Sequence, residues 1–141
     1  MDDLLETGRR ILAQQPFSVL LGAELLRFSK EMVELRVPIR DEHRQQNGFA
    51  HGGVVSYAAD NALTYAGASA LGLAVVTSEY KINYVRPAIG DSIIARATVV
   101  YGGKSQAVCR CDVFVVKDGR EAMCATAQGT ITRIGDAPTD R

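Results

Sequence analysis

The segment from residue 53 to residue 70 constrains the fold of this chain more than any other feature. It is apolar along nearly its whole length, rich in alanine, and carries one formally charged residue, Asp60. At about 1.5 Å per residue, it predicts one helix of roughly five turns and about 27 Å. A helix that is apolar nearly all round is buried on most sides, and its small side chains let another backbone come close. We therefore expect other elements to cover it.

The first third of the chain predicts one more helix and two strands. Residues 2–15 have apolar positions near helical spacing, and Pro16 is expected to end this short amphipathic helix. Residues 20–29 fit a first strand. Residues 31–38 fit a second strand more clearly, because apolar and charged residues alternate there and leave one face in water. The polar segment 39–50 that follows is long for a loop in a compact domain, which is a mild sign of function.

The second half of the chain has the two-residue period of β-strands. Four stretches alternate apolar and polar residues, around positions 78–84, 93–99, 107–115 and 123–131. In the first of them, Ser78, Tyr80 and Ile82 are expected to share one face. Gly102-Gly103 and Asp118-Gly119 are good hairpin turns between the last three. The order of elements predicts an α+β fold, in which one apolar helix lies against a mostly antiparallel sheet whose last four strands form a meander.

Length and charge limit the class of protein. The chain has 141 residues, so we expect one domain over 1–141, with an N-terminal helix at 1–15 and a flexible tail at 134–141. Sixteen Lys and Arg balance sixteen Asp and Glu, whereas proteins held by nucleic-acid phosphates usually need a basic excess. The N-terminus has no basic region typical of a secretory signal, and 61–78 is too polar for a membrane span. We expect a cytoplasmic protein that binds neither nucleic acid nor membrane.

The three cysteines are expected to be small hydrophobic residues of strands. Cys109, Cys111 and Cys124 lie in apolar alternating runs and have no metal-ligand spacing. An odd number of cysteines without a disulfide framework favours a reducing compartment. We therefore expect no metal site from these residues.

Asp60 and the segment His51-Gly52-Gly53 are the candidates for chemistry. A carboxylate amid alanines is costly to bury unless it is paired, and such carboxylates are concentrated at functional sites. The simpler interpretation of Asp60 is a residue on a solvent-exposed stripe, which Asn61 and Thr64 would share. The two glycines leave backbone N–H groups uncovered at the positive end of the helix dipole, which suits an anion or a polarised carbonyl oxygen. The simpler interpretation of these glycines is a tight turn into the helix.

The spacing between Gly52 and Asp60 has a consequence for assembly. The two residues are eight positions apart, or about 12 Å along a helix. They cannot touch the same carbonyl group from one chain. If both serve one reaction centre, a second copy of the helix must run antiparallel nearby, with one chain supplying Gly52 and the other Asp60. That arrangement requires a two-fold dimer.

The run Gln45-x5-His51-Gly52-Gly53-x6-Asp60, with Tyr84-Val85-Arg86-Pro87-Ala88 on a later strand, resembles the hotdog-fold acyl-CoA thioesterases. The resemblance is closest to their phenylacetate-type (PaaI-like) branch and covers about 16–133. It implies a long helix wrapped by an antiparallel sheet, paired into a homodimer with two interfacial sites, and it favours a homotetramer. It also implies hydrolysis of acyl-CoA to a free acid and CoA, with no metal and no cofactor beyond the CoA of the substrate.

The resemblance gives a role to each residue of the first motif. Gly52 matches the glycine whose N–H polarises the thioester carbonyl. Asp60 matches the acid that acts as nucleophile or as general base on water, and His51 matches a histidine that orients the thioester. Gln45 falls where relatives carry an Asn or Gln that positions the water or the thioester. Asn47 is close enough in the sequence to be its rival.

A further side chain is expected to assist the acid, and three more residues are weaker candidates. A Ser or Thr at the start of the next strand often assists in this family. Counting from Asp60 favours Ser78, whereas counting back from Pro87 favours Thr77, and both remain candidates. Gly53 is a candidate substrate contact. Arg86 is either a contact to a CoA phosphate or an ordinary surface arginine at a strand end.

Two other functions compete with a thioesterase. A non-catalytic acyl-CoA binder or sensor would be expected to carry an attached DNA-binding or regulatory segment, and the residues before Pro16 are too few for a helix-turn-helix unit. A hotdog dehydratase or hydratase places its histidine and acid differently, and the chain has no matching motif. Fold alone does not separate these activities.

Overall fold

The computed structural model describes residues 2–135 of the chain. This part contains three α-helices and six strands. In chain order the elements are α1 (Asp2–Ala13), α2 (Pro16–Leu21), β1 (Glu24–Phe28), β2 (Val33–Pro38), a 3₁₀ turn (Asp41–His43), α3 (Gly52–Leu71), β3 (Val75–Tyr84), β4 (Ser92–Gly102), β5 (Gln106–Lys117) and β6 (Arg120–Arg133). The predicted α+β class is confirmed. Of the expected tail at 134–141, residues 136–141 lie outside the described part.

The six strands form one antiparallel sheet in the order β1-β2-β4-β5-β6-β3. The predicted hairpins are present, and Asp118 and Gly119 have φ of +52° and +77° in the tight turn between β5 and β6. The prediction that the last four strands form a meander is wrong, because β3 pairs with β6 and not with β4. With β3 at the edge opposite β1, the sheet reaches both flanks of α3 and covers its apolar surface.

The long helix α3 is buried on most sides, as its composition predicts. The buried side of α3 consists of Val54, Val55, Ala58, Ala59, Ala62, Leu63, Tyr65, Ala66, Gly67, Ala68 and Leu71. The contact with β6 is so close that a Cβ on Gly67 would overlap the side chain of Ile131. Within residues 2–135, no helix is long and apolar enough to cross a membrane. Between its two ends, the helix is partly exposed along one stripe, formed by Ser56, Tyr57, Asp60, Asn61 and Thr64.

The segment before β1 differs from the prediction. The first helix ends at Ala13, and Pro16 begins a second short helix instead of simply ending the first. Proline is favoured in the first turn of a helix because its fixed φ is helical and the missing N–H has no partner there. Gly22, at φ +76°, ends α2 in the left-handed conformation. The prediction of a strand from residue 20 is therefore wrong by four residues, since β1 begins at Glu24.

A β-bulge in β3 decides which of its side chains face α3. Thr77 pairs with Ile131 and Glu79 pairs with Thr130, so Ser78 is the extra residue. A bulge shifts the alternation of a strand. The prediction that Ser78 shares a face with Tyr80 is wrong: Ser78 is exposed and its Oγ donates to the carbonyl of Thr130, at 3.1 Å. Thr77 faces the helix in its place.

The segment 39–50 is fixed by hydrogen bonds to the rest of the fold. It contains the 3₁₀ turn, and Arg44 forms an isolated antiparallel bridge with Ala50. His43 is 3% exposed, and its Nδ1 lies 2.7 Å from the carbonyl oxygen of Pro38. The carbonyl of His43 accepts a hydrogen bond from the N–H of His51, at 2.8 Å. The segment therefore fixes where α3 begins.

The outer face of the sheet is polar, as the alternation predicts. Arg96 on β4 donates to Glu34 on β2 at 2.6 Å and to both carboxylate oxygens of Glu121 on β6, at 2.8 and 2.7 Å. These bonds hold the pKa of the Glu121 carboxyl below its ordinary value. Arg96 therefore bonds acids on β2 and on β6, the two strands that flank the β4–β5 hairpin. These carboxylates largely neutralise its positive charge.

We expect Gly129→Ala to lower the free energy of unfolding by about 1–3 kcal/mol, the usual cost of overpacking. A Cβ on Gly129 would lie 2.6 Å from the carbonyl oxygen of Glu79, beside the bulge, and backbone does not move aside as a flexible side chain does. Urea denaturation followed by circular dichroism measures the change.

Gly102→Ala is the matched control for this substitution. Its Cβ would lie 3.5 Å from the Cβ of Ala70, an ordinary contact, so we expect a change within about 0.5 kcal/mol. Equal stability of the two variants would contradict the close approach of β3 and β6 at the bulge.

Candidate active site

Asp60 lies in the middle of the partly exposed stripe of α3, facing the bulge of β3. Its Oδ1 accepts a hydrogen bond from the Oγ1 of Thr77, at 2.7 Å. Within residues 2–135, its second oxygen, Oδ2, accepts no hydrogen bond, and the residue is partly exposed. A carboxylate fixed through one oxygen and open at the other can bind a water molecule or attack an electrophile.

Thr64, one helical turn after Asp60, completes a cluster of three side chains. Its Oγ1 lies 2.8 Å from the Oγ1 of Thr77 and 2.8 Å from the carbonyl oxygen of Asp60. Thr77 donates its only hydroxyl proton to Asp60, so the single hydroxyl proton of Thr64 goes either to the carbonyl of Asp60 or to the Oγ1 of Thr77. The sequence marked Thr64 only as part of a polar stripe, although its i+4 spacing from Asp60 is the signal that places it beside the acid.

A second polar network lies on the other side of the stripe and joins α2 to α3. The Oη of Tyr57 donates to the Oγ of Ser18 at 2.6 Å, and Asn61 donates to the Oη of Tyr57 at 3.0 Å and to Gln15 at 3.2 Å. Burial raises the pKa of Tyr57, and the charge of Asp60 adds to the rise, so the phenol keeps its proton at neutral pH. Asp60 therefore lies between β3 on one side and this network on the other.

Within residues 2–135, one backbone N–H donor at the start of α3 has no hydrogen-bond partner. The Nδ1 of His51 accepts from the N–H of Gly53 at 2.8 Å, and the carbonyl of His51 accepts from the N–H of Val54 at 2.9 Å. His51 is therefore the N-cap of the helix. Among the described residues, the N–H of Gly52 donates to no group. It lies at the positive end of the helix dipole, where an oxygen acceptor is favoured.

Gln45 and Asn47 lie in the turn before α3 and contact each other. The Oε1 of Gln45 accepts a hydrogen bond from the N–H of Asn47, and the backbone N–H of Gln45 donates to the carbonyl of Phe49, at 3.0 Å. The side chain of Gln45 thus stabilises its own turn. The structure brings neither residue to Asp60.

A cavity of about 350 Å³ adjoins the start of α3. It is lined by Phe49, Ala50, Gly52, Val55, Tyr84, Val85, Arg86, Pro87 and Ala88. The Oη of Tyr84 donates to the carbonyl of Gly52, at 3.2 Å. The structure therefore brings Gly52 and Arg86 to one cavity. It places Asp60, which is bonded to Thr77 of β3, about 12 Å farther along the axis of α3.

The cysteines lie outside both places and are poor nucleophiles. Cys109, Cys111 and Cys124 are buried and free. Burial raises the pKa of Cys109 and of Cys124 to about 11 in each case, so the reactive thiolate is scarce at neutral pH. Across residues 2–135, no group of three or more His, Cys, Asp or Glu side chains is arranged to hold a metal ion.

Comparison with known proteins gives consistent matches. The sequence model of the thioesterase superfamily matches residues 47–122. A thioesterase family protein of Silicibacter pomeroyi superposes with a TM-score of 0.85 at 35% identity, over 90% of this chain and 96% of its own. A thioesterase of Haemophilus influenzae superposes with a TM-score of 0.79 at 25% identity, over 91% and 88%. The PaaI protein of E. coli, from the phenylacetic acid degradation operon, has a TM-score of 0.81 at 22% identity over 94% of each chain, which shows a shared fold.

Proposed function

The chain belongs to the thioesterase superfamily and has its hotdog fold, and from this premise we propose that it hydrolyses acyl-CoA thioesters at a site shared by two copies of the chain. One observation carries the proposal. The N–H of Gly52, which has no partner in the described part of the chain, and the half-open carboxylate of Asp60 lie on one unbroken helix. They are too far apart to serve one carbonyl group from the same chain.

Gly52 is proposed to polarise the thioester carbonyl. Its N–H lies at the helix N-terminus and at the edge of a cavity, so a carbonyl oxygen entering that cavity would accept its hydrogen bond. Such a donor stabilises the negative charge that develops on the oxygen as the tetrahedral intermediate forms. His51, which caps the same turn, keeps this donor in place. His51 is thus proposed to position Gly52.

Asp60 is proposed to activate water or to attack the thioester carbon itself. The bond from Thr77 to Oδ1 holds the carboxylate in one orientation, which leaves Oδ2 for the reaction. As a general base, Asp60 would take a proton from water as the water attacks the carbon and CoA leaves as the thiolate. As a nucleophile, Asp60 would attack the thioester carbon and form an anhydride as the C–S bond breaks and CoA leaves as the thiolate, and water would then hydrolyse the anhydride to the free acid and the aspartate. The open Oδ2 of Asp60 is compatible with both the general-base route and the nucleophilic route.

The surfaces that a partner would cover support the shared site. β3 is an edge strand whose outer side pairs with no other strand of residues 2–135, and Val76 and Tyr84 on it are 44% and 53% exposed. The partly exposed stripe of α3 lies beside β3, since Asp60 bonds Thr77 and Ser56 bonds Tyr80 across the gap. A two-fold partner that pairs its own β3 along this edge brings its own α3 antiparallel to the first.

We expect Asp60→Asn to reduce thioester hydrolysis by at least about 10²-fold, the range for loss of a general base. Asparagine keeps the volume of the side chain and removes its negative charge. Release of free thiol from a panel of aromatic, short-chain and long-chain acyl-CoA substrates measures the effect. Near-normal turnover by the folded variant would remove Asp60 from the mechanism.

We expect Thr77→Val to reduce kcat about tenfold, since hydrogen bonds to charged groups contribute about 1.5–3 kcal/mol. Valine has the shape of threonine and lacks the hydroxyl that holds Asp60. Ser78→Ala is the matched control, because Ser78 bonds Thr130 on the opposite face, and we expect it to keep wild-type kcat within about twofold. The same thiol assay compares them, and a larger loss from Ser78→Ala than from Thr77→Val would reverse the assignment.

A mixed dimer of two inactive variants tests whether the site is shared. In a dimer of Asp60→Asn with Gly52→Val, one site holds both lesions and the other holds none. Random pairing makes about half of the dimers mixed, so about a quarter of wild-type activity should return. If Gly52 and Asp60 served from the same chain, mixtures with demonstrated heterodimers would stay inactive.

The control for this mixture combines Asp60→Asn with Thr77→Val. Asp60 and Thr77 are bonded within one chain, so every site in this mixed dimer carries one of the two lesions. Activity should therefore remain at the mean of the two parent variants. A gain in the control would mean that recovery comes from stabilised subunits and not from a restored site.

A further inference from the structure

His43 is a buried polar side chain to which the mechanism above gives no role. It lies in the 3₁₀ turn before α3 and is 3% exposed. Within residues 2–135, its Nε2 is buried and has no hydrogen-bond partner. A buried polar atom without a partner lowers stability, and an apolar side chain would fill the position without that cost. What histidine adds here therefore comes from its other ring nitrogen, Nδ1.

The Nδ1 atom of His43 contacts two backbone groups at the end of β2. It lies 2.7 Å from the carbonyl oxygen of Pro38 and 3.2 Å from the backbone nitrogen of Arg40. One nitrogen cannot donate to the first and accept from the second in the same tautomer. The shorter contact favours a proton on Nδ1 that is donated to Pro38, which leaves Nε2 as a lone pair. This is also the less costly form to bury, because an unpaired N–H is tolerated less often than an unpaired acceptor.

The backbone of His43 bonds the residue that precedes Gly52. The carbonyl of His43 accepts from the N–H of His51, at 2.8 Å. The ring and the carbonyl of His51 are bonded as well, to the N–H groups of Gly53 and Val54. The carbonyl of His51 and the N–H of Gly52 belong to one planar peptide unit. Fixing His51 therefore fixes the direction in which the N–H of Gly52 points.

We propose that His43 is a positioning residue that fixes the direction of the Gly52 N–H. Its ring anchors the turn to Pro38 at the end of β2, and its carbonyl connects the anchored turn to His51. The inference rests on the proposed function, in which the N–H of Gly52 polarises the thioester carbonyl. Such a donor stabilises the transition state only when it is aimed at the developing oxyanion. A misdirected donor therefore lowers kcat more than it changes KM.

His43→Leu and His43→Asn form a matched pair of variants. The two new side chains have the same shape, and only the amide can donate to the carbonyl of Pro38. We expect His43→Leu to lower kcat about tenfold and to leave KM within about twofold, since small errors of position are costly in catalysis. His43→Asn should keep kcat within about threefold, because it retains the hydrogen bond. Thiol release from acyl-CoA measures both variants, at a temperature at which circular dichroism shows them folded. Equal kcat values for the two would refute the role of Nδ1.

A double-mutant cycle tests whether His43 acts through the N–H of Gly52. Gly52→Pro removes this N–H, and proline fits because position 52 is the first residue of α3 and His51 before it has ψ of 139°. Gly52→Ala keeps the N–H, and its Cβ would be in ordinary contact with the ring of Tyr84, at 3.5 Å. We expect His43→Leu to lower kcat about tenfold beside Gly52→Ala and by less than about twofold beside Gly52→Pro. Equal losses in both backgrounds would mean that His43 is only structural.

Amide hydrogen exchange in the resting protein separates this inference from the proposed function. The N–H of His51 is bonded to the carbonyl of His43, so its exchange reports the anchor without any substrate. We expect exchange about tenfold faster in His43→Leu than in the wild type or in His43→Asn, since a loosened turn opens more often. Unchanged exchange in His43→Leu would overturn the anchor. Faster exchange together with equal kcat in Gly52→Ala and Gly52→Pro would support the anchor and overturn the proposed role of the Gly52 N–H.

Discussion

The need to cover an almost wholly apolar helix determines most of this structure. Removing apolar surface from water is the main favourable contribution to folding, and eleven residues of α3 are buried. One flank of the sheet alone cannot cover them, so β1 and β3 close on α3 from opposite edges of the sheet. The stripe that stays partly exposed is the one that carries Asp60. The same packing that buries the helix thus leaves its carboxylate at the place where a partner would bind.

The bulge at Ser78 shows how a local irregularity of a strand selects the side chain that contacts Asp60. Without it, the alternation counted back from Tyr80 would turn Ser78 toward the helix and Thr77 away. With the extra residue, Thr77 faces α3 and bonds Asp60. Gly129 lies opposite Tyr80 in the partner strand and lets the two backbones approach at this point. Strand propensity contains no signal for this shift, so the choice between Thr77 and Ser78 needed the paired strand.

The parts of the fold that follow from local pattern could be predicted from the sequence. Residues that are neighbours in the sequence determine the bounds of α3, the two-residue period of the strands and the turn at Asp118-Gly119. The position of β3 in the sheet was mispredicted because strand order depends on contacts far apart in the sequence. Of the candidate site, the positions of Asp60 in the middle of α3 and of Gly52 at its start were predicted from residue types and spacing. The network of Gln15, Ser18, Tyr57 and Asn61 was missed because the sequence analysis predicts no helix at α2: it predicts that Pro16 ends the first helix and that a strand begins at residue 20.

The stiffness of α3 explains why one chain would hold only half of the proposed site. An α-helix does not shorten, so the donor at Gly52 and the acid at Asp60 stay about 12 Å apart in every conformation that keeps the helix intact. Bending the helix enough to join them would expose its buried face and break the contact at Gly67. Pairing two rigid helices antiparallel needs no such distortion, because each donor then meets the acid of the other chain. Under the proposed function, the helix that organises the fold therefore also makes catalysis a property of the dimer.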